Sequence, residues 1–170
     1  VKILITNFRL AERTASEIYA RDIAKALVAG GNTVAVFASK KGKLASELEE
    51  CGIPVLEHPS DVPFQPDIIH GQFNLETITA LLSFPDVPAV FMSHGSQQWR
   101  GQPPRHPRIL RYIAHSARVG DWLLNQLGLS KRSFLLVPNF IEMDRFQEIR
   151  RLPEECHLRT RRARARDGSR

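Results

Sequence analysis

The feature of this sequence that most constrains its fold is a series of short apolar runs, each ending in a small polar residue or a histidine. VKILIT runs into Asn7, VAVFA into Ser39, DII into His70 and AVFM into Ser93-His94. Further on, RYIA runs into His115-Ser116 and FLLVP into Asn139. Nearly continuous apolar runs, separated by helical stretches, read as strands buried on both faces of a parallel sheet. In open sheets of this kind, ligands bind beyond the carboxyl ends of the strands, near the point where strand order reverses. One sheet edge therefore collects hydroxyls, amides and imidazoles, and function is expected there.

Between the runs the helical signals are regular. A helix is expected from about Thr14 to Ala29, stopped by Gly30-Gly31, and a second from Leu44 to Cys51, stopped by Gly52. A third is expected over Leu75 to Phe84 and a fourth over Val119 to Leu127, with Gly128 as its stop. Strands are expected at Thr33 to Ala38, Val55 to Glu57, Asp67 to His70, Ala89 to Ser93, Arg111 to His115 and Phe134 to Val137. This alternation implies right-handed βαβ units: an α/β, Rossmann-like, doubly wound and mostly parallel sheet with helices on both faces. The segment Gly95 to Pro107 reads as a long polar loop, and loops of that length in compact domains are commonly functional.

Length and charge narrow the function classes. A chain of 170 residues corresponds to about one domain. The net charge is +6, but residues 150 to 170 hold eight arginines against three carboxylates, while the rest carries 16 lysines and arginines against 15 acids. The pI of 9.8 thus describes a basic tail on a nearly neutral body, and no nucleic-acid-binding surface is expected. The tail is expected to be disordered or a severed interdomain linker, which sets a domain at 1–149 and a tail at 150–170. Cys51 and Cys156 show neither metal nor disulfide spacing, which fits a reducing cytoplasmic setting. No apolar run approaches the roughly 18 residues of a membrane span.

Several residues at the favoured edge could carry chemistry. Thr14-Ala15-Ser16-Glu17 opens the first helix and matches a capping box. The same helix N-terminus, with the Thr14 and Ser16 hydroxyls and Arg13, suits a phosphate. His70, His94 and His115 sit at neighbouring strand ends. They are read as hydrogen-bonding groups and not as metal ligands, because no carboxylates are placed to orient them. His94-Gly95 is the favoured pair, since glycine lets the backbone approach a ligand closely. Trp99 with Gln97, Gln98, Arg100 and Arg105 suits a polar ring such as a sugar, or else anchors the loop by burying Trp99. No Gly-rich dinucleotide fingerprint, phosphate loop or nucleophile elbow is present.

In the order and spacing of its landmarks the chain resembles the N-terminal domain of a family 4 glycosyltransferase of the GT-B fold. The landmarks are Thr14-Ala15-Ser16-Glu17, Ala29-Gly30-Gly31-Asn32-Thr33-Val34, Pro66-Asp67-Ile68-Ile69-His70, Pro88 to Gly95, Ile113-Ala114-His115-Ser116 and Val137-Pro138-Asn139-Phe140-Ile141 up to Phe146. The resemblance implies sugar transfer of the hexosyltransferase type from a nucleotide-sugar donor to a sugar or glycolipid acceptor. It implies no metal and no cofactor beyond the donor itself; peripheral membrane contact is left open by the basic tail after Arg150, which could meet phosphate or lipid head groups.

The resemblance also assigns roles. His94 would act beside the transferred sugar, and Arg13, Thr14, Ser16 and Gly95 would hold the donor. Glu17, His70, Asn74, Trp99 and Arg100 would face the acceptor. The glycine pair common in the family's first loop is replaced by Thr14 and Ala15. The family's second domain, which holds the nucleotide and supplies paired glutamates, has no counterpart in the sequence, so residues 1–170 alone are expected to be inactive. Two other readings fit the residues: a non-catalytic Rossmann-like binding module, and half of a sugar-nucleotide epimerase.

Overall fold

The computed structural model describes residues 1–95 and 99–140. In chain order it contains β1 (Lys2–Asn7), α1 (Ala15–Ala29), β2 (Thr33–Ala38), α2 (Lys43–Glu50), β3 (Val55–Leu56), β4 (Ile68–Gly71) and α3 (Asn74–Ser83). After these come β5 (Ala89–Ser93), β6 (Ile109–Ala114), α4 (Ala117–Leu127) and β7 (Phe134–Leu136). Short 3₁₀ turns lie at Pro59–Asp61, Trp99–Gly101 and Lys131–Ser133. The basic tail and the 149/150 boundary lie outside the described residues, as do Gln97 and Gln98.

All seven strands join one sheet in the order β3-β2-β1-β4-β5-β6-β7, and every pair is parallel. From β1 the chain first winds towards β3, then returns to add β4 on the other side. The order therefore reverses between β1 and β4, and their carboxyl ends flank the crevice. This is the doubly wound, Rossmann-like arrangement expected from the apolar runs.

Alternation along β1 divides the core between the two faces. Ile3 and Ile5 pack with Val34, Val36, Ala20, Ala24, Leu44 and Leu48 under α1 and α2. Leu4 packs with Phe37, Ile69, Leu81, Phe91 and Tyr112 under α3. Strands buried on both faces cannot alternate polar with apolar residues, which explains why their sequences read as continuous runs. Gly71 at the end of β4 is required by packing: a Cβ there would lie 2.5 Å from the Thr77 hydroxyl. Its absence lets α3 rest directly on the strand.

The boundaries at the right-hand side of the sheet differ from the sequence reading. β6 begins two residues earlier than expected, at Ile109, and α4 begins at Ala117 instead of Val119. Ser116 explains the earlier start, because its hydroxyl accepts from the Val119 N–H and caps the helix. The β5–β6 connection is not structureless. Arg108 donates to the carbonyls of Leu81, Phe84 and Val87 around the end of α3. Tyr112 Oη donates to the Pro104 carbonyl.

Candidate functional site

A cleft of about 510 Å³ opens over the carboxyl ends of β1, β4 and β5, where strand order reverses. Its walls come from the β1–α1 loop, the first turn of α1 and the segment that leaves β5. Thr14, Ser16, Glu17, His94, Gly95 and Arg100 all line it. Six of the residues expected from sequence are thus brought to one place by three chain segments: the start of α1, the end of β5 and the Trp99–Gly101 turn.

The start of α1 is built differently from expectation. Thr14 is the N-cap, but its side chain makes no capping hydrogen bond. Glu17 does not close a capping box. Its buried carboxylate instead accepts from Arg9 Nε at 2.8 Å and from the Glu12 N–H at 2.7 Å. The charge-assisted bond to a guanidinium and the loop N–H together outcompete the local cap. This leaves the Thr14 hydroxyl free towards the cleft and pins the β1–α1 loop. Asn7 adds to the same junction, donating from Nδ2 to the Ser16 carbonyl at 3.2 Å.

Arg13 is drawn elsewhere. Its guanidinium pairs with Glu47 on α2 at 2.5 Å, so it does not face the cleft. Arg9, which sequence reasoning passed over, stands at the wall in its place.

His94 is the centre of a compact polar and aromatic arrangement. Its Nε2 lies 2.8 Å from Gln72 Oε1, and Gln72 is itself 1% exposed. The Tyr19 ring packs against it edge-on with centroids 4.9 Å apart. The His94 carbonyl accepts from His115 Nε2 at 3.2 Å. Burial, reinforced by the neighbouring His115 and His70, lowers the His94 pKa to about 4. The imidazole is therefore neutral near pH 7, with its N–H on the Gln72 side and its lone pair left to accept. Among the described residues no three His, Cys, Asp or Glu side chains group as a metal would require.

Gly95 has φ +67°, and a Cβ at this position would lie 2.6 Å from Val119 Cγ2. Only glycine satisfies both the left-handed backbone and the close approach of α4. A second pocket of about 320 Å³ begins on the other side of this pair, lined by His94, Gly95, His115, Ser116, Arg118 and Trp122 among others. His94 and Gly95 thus form the ridge between two hollows on one edge.

Three more expected residues, His70, Asn74 and Trp99, lie apart from the cleft. His70 is buried in β4 with its ring 6.1 Å from Tyr19, and its Nδ1 has no partner. Tyr19 in turn packs against His94, so the two histidines share one aromatic neighbour. Asn74 donates from Nδ2 to the Trp99 carbonyl at 2.6 Å, and both residues line a separate apolar groove of about 410 Å³ beside α3. Trp99 is 58% exposed, so it does not anchor the loop by burial. Arg100 connects the two regions, with its guanidinium 4.2 Å from the Phe8 ring centroid and 4.9 Å from that of Trp99.

Gln72 and Tyr19 escaped the sequence reading. Gln72 follows the strand end at Gly71 and obeys the same rule of polar residues after apolar runs. Tyr19 gave no signal, because one aromatic on an amphipathic helix usually means core.

Comparison with known proteins agrees with this fold. A sequence model of Glycosyltransferase Family 4 matches residues 60–145, half of the chain. No curated protein sequence matches. Among solved structures, a glycosyltransferase from Rickettsia africae ESF-5 superposes with a TM-score of 0.67 at 17% identity, over 86% of this chain and 45% of its own. Anabaena HepE, solved in complex with UDP-glucose, superposes with a TM-score of 0.65 at 15% identity, over 84% of this chain and 45% of its own. The chain thus spans less than half the length of these structural relatives, and at such identities the likeness establishes the fold. Sequence match and fold together place this chain in Glycosyltransferase Family 4, as a Rossmann-like domain of the kind that forms the N-terminal half of the GT-B fold.

Proposed function

We propose that the chain is the N-terminal half of a nucleotide-sugar-dependent glycosyltransferase, which binds the acceptor and contributes to the donor phosphate and sugar site. The observation that carries this reading is the convergence of Thr14, Ser16, His94, Gly95 and Arg100 on one cleft at the strand-order reversal. The uncapped Thr14 hydroxyl and the first N–H groups of α1 suit a diphosphate oxygen. Neutral His94, with its Nε2–H on Gln72, suits a sugar hydroxyl that donates to its other ring nitrogen. Arg100, stacked on Phe8 and Trp99, suits the acceptor side. HepE, with a similar fold, binds UDP-glucose, which makes a uridine diphosphate sugar the first donor to try.

Most of the donor affinity and the stabilisation of the leaving diphosphate would come from a second domain. The 170-residue chain alone is therefore expected to bind weakly and to transfer no sugar at a rate typical of whole enzymes. Titration of the ¹⁵N-labelled chain with UDP-glucose tests the reading. Shifts are expected at Thr14, Ser16 and Gly95, reduced in His94→Ala. Shifts confined to another surface, or no shifts at millimolar ligand, would refute it.

A further inference from the structure

The cleft is lined by two arginines and one carboxylate, and the two cations are placed differently. Arg9 is committed. Its Nε donates to Glu17 at 2.8 Å and its Nη2 to Glu12 at 2.9 Å. Glu17 is occupied by the same bond and by the Glu12 N–H. Arg13, the third cation near this edge, pairs with Glu47 and faces away from the cleft. Arg100 differs from both. Among the described residues its guanidinium forms no ion pair and no hydrogen bond. One cleft cation therefore keeps its charge and its N–H donors for a ligand.

Arg100 is nevertheless held in place. Its guanidinium lies over the Phe8 ring at 4.2 Å and over the Trp99 ring at 4.9 Å, measured to the ring centroids. Aromatic rings cover the flat face of a guanidinium and leave its N–H edge open. That edge matches the paired oxygens of a carboxylate or a phosphate in a two-pronged contact. Because the rings fix the group beforehand, little side-chain freedom is lost when a ligand binds. The turn that carries it is secured as well, since Asn74 Nδ2 donates to the Trp99 carbonyl at 2.6 Å.

Position decides which ligand carries the anion. In the sugar-transfer reading, the first turn of α1 with the Thr14 and Ser16 hydroxyls takes the donor diphosphate. Arg100 stands instead on the Trp99–Gly101 turn, where the cleft meets the groove beside α3. There the exposed Trp99 indole and the Gln102 amide flank space for a sugar ring. We infer that the acceptor is an acidic sugar, whose carboxylate or phosphate monoester is gripped by the N–H edge of Arg100. Arg100 is then the residue that selects a charged acceptor over a neutral one. The assignment to the acceptor rests on the sugar-transfer reading, but the binding itself is measured without turnover.

The ¹⁵N-labelled 170-residue protein is titrated with glucose, glucuronate, glucose 6-phosphate and inorganic phosphate at constant ionic strength. The Trp99 indole N–H, assigned by its loss in Trp99→Phe, and the Arg100 side-chain N–H are followed. At least one of the two acidic sugars is expected to shift both signals and to bind about ten-fold or more tightly than glucose. The tighter of the two identifies the oxyanion. The preference is expected to vanish in Arg100→Gln and to persist in Arg105→Gln, which alters an exposed arginine outside the cleft. No preference for either acid, or an equal loss in Arg105→Gln, overturns the inference. So does inorganic phosphate that binds as tightly as glucose 6-phosphate, since the site would then hold any free anion. UDP-glucose separates this failure from that of the sugar-transfer reading. Its shifts at Thr14, Ser16 and Gly95 are expected to survive Arg100→Gln. Their loss in that variant assigns Arg100 to the donor and overturns the inference alone, whereas their absence in the parent removes the sugar-transfer reading and the acceptor assignment with it.

Discussion

Nε2 of His94 lies 2.8 Å from Oε1 of Gln72, and this contact joins the ends of β5 and β4 across the crevice. The Gln72 backbone is fixed in turn, because its N–H donates to the Thr6 hydroxyl at the end of β1. With an amide oxygen facing it, Nε2 carries the proton, and Nδ1 becomes the acceptor. Gln72 thus decides which nitrogen of His94 can meet a ligand hydroxyl.

The Gln72–His94 pair leads to a prediction in which stability and site geometry separate. Gln72 Nε2 is buried without a partner, so removal of the amide relieves one cost while losing one hydrogen bond. Gln72→Leu is expected to change unfolding free energy by no more than about 1 kcal/mol in urea titrations. The ¹⁵N spectrum of His94 should nevertheless change from a single Nε2–H tautomer to a mixture. An unaltered tautomer in the variant would show that Gln72 does not control the ring.

Gly95 tests whether the ridge between the two hollows is built by backbone and packing together. Gly95→Ala places a side chain at positive φ and 2.6 Å from Val119 Cγ2, which should cost about 2–4 kcal/mol in total. Adding Val119→Ala should recover about 1 kcal/mol or more of that as a favourable coupling, leaving the backbone strain. A double-mutant cycle with no coupling would show that the two elements do not press on one another.

The buried histidines predict an acid-side loss of stability. Burial lowers the pKa of His70 from 6.5 to about 4, and that of His94 likewise. The unfolded chain therefore binds protons first, so the histidine contribution is complete above about pH 6.5 and is lost as pH falls towards 4. The slope is on the order of 1 kcal/mol per pH unit for each group. His70→Gln should be less sensitive than the parent over that window in urea unfolding at fixed ionic strength. Parallel curves would mean that His70 does not titrate with folding.

The sequence by itself determined the sheet and the edge where chemistry gathers. Six apolar runs, the glycine stops after α1 and α2 and the polar residue at the end of each run specified a parallel, doubly wound fold, because strands covered on both faces are largely apolar. Thr14, Ser16, His94 and Gly95 were legible for the same reason. What depends on distant partners was decided only in three dimensions. The local pattern Thr14 to Glu17 spelled a cap, yet Arg9 and the Glu12 N–H claimed the carboxylate, and Glu47 drew Arg13 away. Gln72 and Tyr19 became part of the His94 site because strand order set β4 beside β5 and laid α1 over the crevice. Trp99 stayed exposed because the loop was secured elsewhere, through Asn74, Arg108 and Tyr112. Periodicity and end-of-strand chemistry are local properties of a chain, whereas a charged or aromatic side chain takes the best partner that the tertiary fold brings within reach.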